Sequence, residues 1–184
     1  PSLIVVLRNT LIGGRRQGVA CAIGHGIGFG IYAGSAVFGL ILLLENSPSV
    51  FFALQIIGVF LLIWYGIKMW TAEVNALQEV DATAVQHQRQ GFAEGFAIAF
   101  FNPKIALFLV AILAQVLKPG MGFSTKLAIG MLGMTIDTVW YLIVALVLTG
   151  TPALEYLRKK GEYVYKFTAI ALWFFAASVV YSLV

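Results

Sequence analysis

Phe100-Phe101-Asn102-Pro103-Lys104 interrupts an otherwise apolar run from Gly91 to Leu117. Inside a helix, a proline removes one backbone hydrogen bond and its ring clashes with the preceding turn. If the run crosses a bilayer, Lys104 sits deep in hydrocarbon, at a cost of at least about 2.5 kcal/mol on the most lenient scale. Broken backbone persists at that depth only where it faces protein or a water-filled cavity. The stretch therefore predicts a discontinuous membrane helix whose break forms half of a solute-binding centre. The expected fold is an all-α membrane protein, and the expected class is a small transporter.

Composition agrees. The chain has 184 residues, of which 60% are hydrophobic and 11% charged. Its mean hydropathy is +0.92, and a soluble domain carries about 25% charged residues. Apolar stretches of about 20 residues recur along it, enough to cross a bilayer. The net charge of +4 comes from basic loops beside the membrane. No basic stripe interleaves with aromatics, so no nucleic acid is expected as a partner. Cys21 is the single cysteine and is read as a packing residue. No cysteine–histidine cluster, acidic pair or Ser/His/Asp set suggests a metal, a cofactor or covalent catalysis, so no enzyme is expected.

Working outward from the break, Gly18–Leu44, Val50–Met69, Leu127–Leu148 and Tyr163–Val184 read as further spans. Residues 1–11 are apolar but too short to cross alone. Gly13-Gly14-Arg15-Arg16-Gln17 and Glu45-Asn46-Ser47-Pro48-Ser49 read as turns, Lys118–Lys126 as a loop, and Gly150–Glu162, with Arg158-Lys159-Lys160, as a basic loop. Trp70–Gln90 is the one long polar region, holding Glu73, Glu79, Asp81, His87 and Arg89. Lysine and arginine favour the first, third and fifth loops over the second, which places those three in the cytoplasm. Lys118 and Lys126 in the fourth loop run against that majority.

The two halves resemble each other. Pro1-Ser2-Leu3-Ile4 can be laid on Pro103-Lys104-Ile105-Ala106, Ala22-Ile23-Gly24 on Ala128-Ile129-Gly130, and Gly58-Val59-Phe60-Leu61 on Ala169-Ile170-Ala171-Leu172. The order is kept while the offset drifts, as unequal loops would produce. The expected architecture is one transmembrane domain over residues 1–184, with repeat one at 1–70, a cytoplasmic linker at 71–90 and repeat two at 91–184. An odd number of spans per repeat inverts the second relative to the first, as in many secondary transporters. Six transmembrane helices are expected, the first truncated at its start, because Pro103 follows a dozen apolar residues and Pro1 follows none.

Asn102-Pro103-Lys104 followed by an apolar run resembles the signature of the lysine-exporter (LysE/RhtB-type) amino-acid translocators. Gly14-Arg15-Arg16-Gln17-Gly18 matches that family's turn, and Gly24, Gly28, Gly66 and Asp137 fall where its pattern expects them. The family's Pro-Gly-Pro break is represented only by Pro1-Ser2. The resemblance covers the whole chain and implies multi-pass residence in the bacterial inner membrane. It also implies export of amino acids, driven by the proton-motive force or by exchange.

The residues suggest how a zwitterion would be held. Half-helices starting at Pro1 and Pro103 would turn free N–H groups and a positive dipole end inward, a seat for a carboxylate. Lys104 adds charge, and Ser2 and Asn102 add hydrogen-bond donors. Asp137, near the centre of its span, could bind an ammonium, carry a coupling proton, or pair with Lys104. His25 is a second proton-coupling candidate, since histidine exchanges protons near neutral pH; the bland alternative is a bond to a neighbouring helix. Tyr32 and Tyr141, with Trp140, are candidates to line the pathway or simply to pack. Glu94 reads as a solvated boundary charge. Gly26, Gly30 and Gly34, four apart, read as a close helix contact rather than a phosphate loop. The expected partners are an amino-acid substrate, membrane lipid and a coupling proton, with a homo-oligomer left open. The competing function is an ion or other small-solute exporter or channel on a related fold.

Overall fold

In the computed structural model, residues 2–71, 90–148 and 151–183 are described, with side chains except at 148, 153–161, 164, 182 and 183. Pro1 and the polar stretch 72–89, with Glu73, Glu79, Asp81, His87 and Arg89, lie outside the described residues. Every regular element among the described residues is helical.

α1 runs Ser2–Asn46 but is two helices joined at Gly14, whose φ of 76° and ψ of 173° are not helical. A side chain there would meet nothing within 4 Å. The position needs glycine for its left-handed backbone, not for space. The turn expected at Gly13–Gln17 is this kink. Only Ser47 separates α1 from α2, Pro48–Trp70, which begins on a proline whose missing N–H costs nothing there.

The decisive stretch is broken as expected. α3, Gly91–Phe100, ends with Phe101 N–H donating to Ala97 O (3.0 Å) and Asn102 N–H to Ala99 O (3.4 Å). α4, Pro103–Val116, begins at the proline, and the pair bends by 54° at the two residues between. α5, Phe123–Ile143, continues into a π-helical turn, Val144–Leu148.

The basic loop expected at Gly150–Glu162 is instead the start of α6, Pro152–Leu183. Pro152 suits a first helical position, and Ala153, Leu154, Glu155, Leu157, Arg158, Lys159 and Lys160 are good helix formers. Charge marked the segment as water-facing, which a helix can be.

Among the described residues, three helical stretches are long and apolar enough to cross a membrane: Ser2–Asn46, Pro48–Trp70 and Phe123–Val147. The α3–α4 pair makes a fourth if counted as one span, and Tyr165–Tyr181 is a shorter apolar piece of α6.

The chain gathers into two compact units. The first comprises Pro1–Gly34, Asn75–Asn102 and Leu127–Lys159. Its core is Val6, Leu7, Cys21, Val144 and Ala145, flanked by Leu3, Val5, Val19 and Tyr141. Here α3 lies directly on α1: a methyl group at Gly95 would overlap the Cys21 carbonyl, and one at Gly24 the Phe92 carbonyl. The second unit comprises Ser35–Val74, Pro103–Lys126 and Lys160–Val184. In it α2 packs against α4, and Val59, Leu62, Ala111, Ala176 and Val179 form the core. Gln55 Nε2 donates to Ala114 O (3.0 Å) and Gln115 Nε2 to Gln55 O (2.9 Å), a reciprocal bridge between the two helices.

Candidate functional site

The first unit gathers a polar cluster in apolar surroundings, with Ser2 and His25 buried and Asp137 and Tyr141 partly so. His25, on α1, is 1% exposed, and its Nδ1 lies 2.7 Å from Oδ2 of Asp137 on α5. Tyr141 follows Asp137 by one helical turn, so both project from one face of α5. Its ring stacks obliquely on the imidazole with centroids 4.4 Å apart. Its side chain is hydrogen-bonded to that of Ser2, itself buried at the start of α1. Three residues after Tyr141 the α-helix widens into the π-helical turn, a local form frequent at functional sites.

Asp137 decides what the imidazole can do. A carboxylate at Nδ1 favours a proton on that nitrogen and leaves Nε2 as the acceptor when the ring is neutral, the donor when it is charged. His25 Nε2 is buried without a hydrogen-bond partner among the described residues. One ring nitrogen is thus committed to Asp137 and the other is left open.

Ser2, His25, Asp137 and Tyr141 thus come together. Tyr32, in the same unit, packs edge-on against Phe100 with centroids 6.1 Å apart. Asn102 closes that unit's second stretch. Pro103 and Lys104 open α4 in the second unit, where Lys104 Nζ lies 5.7 Å from the Tyr65 ring centroid and its carbonyl accepts Tyr65 OH at 3.2 Å. The side-chain partner of Asp137 is therefore His25 rather than the Lys104 that the sequence offered, and this contact is the neighbouring-helix bond given as the alternative for His25. The helix start expected at Pro1 lies outside the described residues.

A second polar group escaped the sequence reading. Arg8 Nη2 donates to Glu94 Oε2 at 2.8 Å, and Asn9 Nδ2 donates to the same oxygen at 2.9 Å and to Val5 O at 2.9 Å. Gly91 N–H donates to Gln17 Oε1 at 3.2 Å. Glu94, expected to be a solvated boundary charge, is only 25% exposed. The signal was present: Arg8 and Glu94 are each isolated charges in apolar runs, and such charges seek each other. Among the described residues no group of three His, Cys, Asp or Glu could hold a metal ion.

With this geometry in place, comparison with known proteins is decisive. Residues 1–183 match the family described as LysE type translocator. The chain belongs to the LysE-type translocator family. It is 28% identical over 122 residues to the protein named uncharacterized membrane protein YahN of Escherichia coli (strain K12), a match covering 64% of this chain and 53% of that protein. The chain thus spans about half the length of that relative. It is also 22% identical over 168 residues to a leucine efflux protein of Klebsiella pneumoniae, covering 88% of this chain and 76% of that one. A leucine efflux protein of Salmonella typhimurium is 26% identical over 166 residues, with the same coverages of 88% and 76%. No solved structure is a significant match. The LysE-type translocators are a transporter family, and the apolar helices make this member a multi-pass membrane protein.

Proposed function

We propose that this LysE-type translocator exports amino acids from the bacterial cytoplasm across the inner membrane. The observation that carries the proposal is the His25–Asp137 pair, 2.7 Å apart, with the imidazole buried and the carboxylate 14% exposed. A fold has little use for two ionisable groups at such depth unless they meet a charged solute or a proton. Asp137 attracts the substrate's ammonium group or gives its place to a coupling proton, and His25 relays that proton through Nε2. Ser2 and Tyr141 fix the imidazole's surroundings, and Tyr32 lines the way in.

The carboxylate is the other charge a zwitterion must satisfy. The first turn of α4 offers the helix's positive end and the Lys104 ammonium, the chemistry that binds anions at helix starts. Asn102 and Pro103 fix that start. As the substrate moves, its carboxylate engages this helix end at one stage of the cycle. The substrate class is a small neutral or basic amino acid, and the leucine efflux relatives favour the neutral aliphatic end of it.

Six spans arranged as two inverted three-helix repeats, working by alternating access, are the architecture we infer for this activity. Support comes from the internal sequence repeat and from the two compact units, each of which draws on both halves of the chain.

Purified protein in proteoliposomes should show saturable counterflow of radiolabelled leucine, and Asp137→Asn should abolish it while the variant still elutes as a folded species. Undiminished counterflow in that variant would remove Asp137 from the mechanism. Non-saturable flux of every small solute tried would favour the channel alternative.

A further inference from the structure

The second unit carries an apolar groove with a cation at one end, and the proposed transport cycle uses neither. The groove measures about 410 Å³ and lies between α2 and α6, lined by Ile63, Ile67, Trp173, Ala176, Ala177 and Val180. Its walls are built, not incidental. Gly66 leaves the space that the Trp173 indole fills, and Trp173 Nε1 donates to Ile63 O at 3.2 Å. The small side chains of Ala176 and Ala177 form the floor. From Trp173 to Val180 is seven residues, about 10 Å along a helix.

The end of the groove at Trp173 has a different chemistry. Trp70, at the C-terminus of α2, faces Trp173 with ring centroids 5.6 Å apart. Lys166 Nζ stands 5.5 Å from the Trp70 centroid, and its ammonium also bonds Glu162 Oε1 one turn earlier at 2.5 Å. Tryptophan and lysine at one level, with apolar surface on one side of them, mark the headgroup layer of a bilayer. Basic groups between helices at that level attract anionic headgroups.

We propose that this groove is a binding site for one anionic phospholipid, with part of an acyl chain lying along Ile67, Trp173, Ala177 and Val180 and its phosphate at Lys166. A second copy of the chain fits less well, because six lining side chains fall far short of the 20–30 residues per side of a stable interface. Glu162 competes with the phosphate for the same ammonium, so the site is tuned by one carboxylate.

The proposal stands apart from the direction and substrate of transport and is tested without flux. Detergent-purified protein is titrated with phosphatidylglycerol or phosphatidylcholine, and retained lipid is counted by native mass spectrometry. Wild type should retain one phosphatidylglycerol in preference to phosphatidylcholine. Lys166→Gln should weaken that preference about fivefold, the effect of one surface lysine on an anionic lipid. Glu162→Gln should strengthen it, and Ala177→Leu, which fills the floor, should cost retention of both lipids. Equal retention of the two lipids by wild type, or a preference unchanged in both charge variants, overturns the proposal. So does an Ala177→Leu variant that alters dimer content rather than lipid content. Thermal unfolding of each variant, expected to match wild type because these positions are solvent- or lipid-facing, separates lost binding from lost fold.

Discussion

One methyl group is enough to test how closely α3 lies on α1. At Gly95 it would overlap the Cys21 carbonyl, which is backbone and cannot rotate aside. Gly95→Ala should therefore lower stability by about 1–3 kcal/mol, the usual cost of overpacking. At Gly39 a methyl group meets nothing within 4 Å, so Gly39→Ala should be neutral or gain up to about 1 kcal/mol of helix preference. Thermal unfolding in detergent compares the two; equal effects would mean that α3 does not lie against α1 at Cys21. At this scale the sequence was legible where a residue's own covalent form dictates the backbone. Pro103 announced its break and Gly14 its kink without reference to any other residue. The bond between His25 and Asp137 spans 112 positions. Nothing local distinguishes the imidazole from Lys104 as the carboxylate's partner; the packing of α5 against α1 makes that choice.

Between elements, polar side chains join helices that apolar contact alone would leave free to slide. Gln55 and Gln115 bridge α2 and α4, but Gln115 Oε1 is buried without a partner among the described residues. Removing Gln115 thus loses one hydrogen bond and relieves one orphaned acceptor, which offset each other. Gln115→Leu should cost less than Gln55→Leu, and neither much more than about 1 kcal/mol, in keeping with hydrogen bonds between membrane helices. Urea or detergent unfolding of both variants checks the order. Arg8 and Glu94 are 31% and 25% exposed, so solvent screens part of their attraction. Arg8→Ala should cost about 1 kcal/mol in the same assay. The extents of α2, α3 and α4 followed from apolar run length and proline position. The first turns of α6 did not, because charge reports contact with water and says nothing about whether the backbone coils.

For the molecule as a whole, orientation is the property most open to direct measurement. Lysine and arginine concentrated beside the Gly14 kink, after α2 and in the first turns of α6 predict that the α2 C-terminus faces the cytoplasm and Ser49 the other side. In a Cys21→Ala background, Ser49→Cys should react with an impermeant maleimide on intact cells, and Thr71→Cys only after permeabilisation. The reverse pattern would turn the protein over. Membrane class was plain from composition because sixty residues in every hundred are hydrophobic, whereas the gathering of distant stretches into units depends on helix contacts that composition does not encode. Each unit is assembled from three stretches separated along the chain. A ribosome that has just released His25 must translate more than a hundred further codons before Asp137 exists to meet it. Through that interval the nascent imidazole waits in the lipid uncompensated. Nonsense alleles ending between the two should consequently leave no stable fragment, only a substrate for the membrane's quality-control proteases.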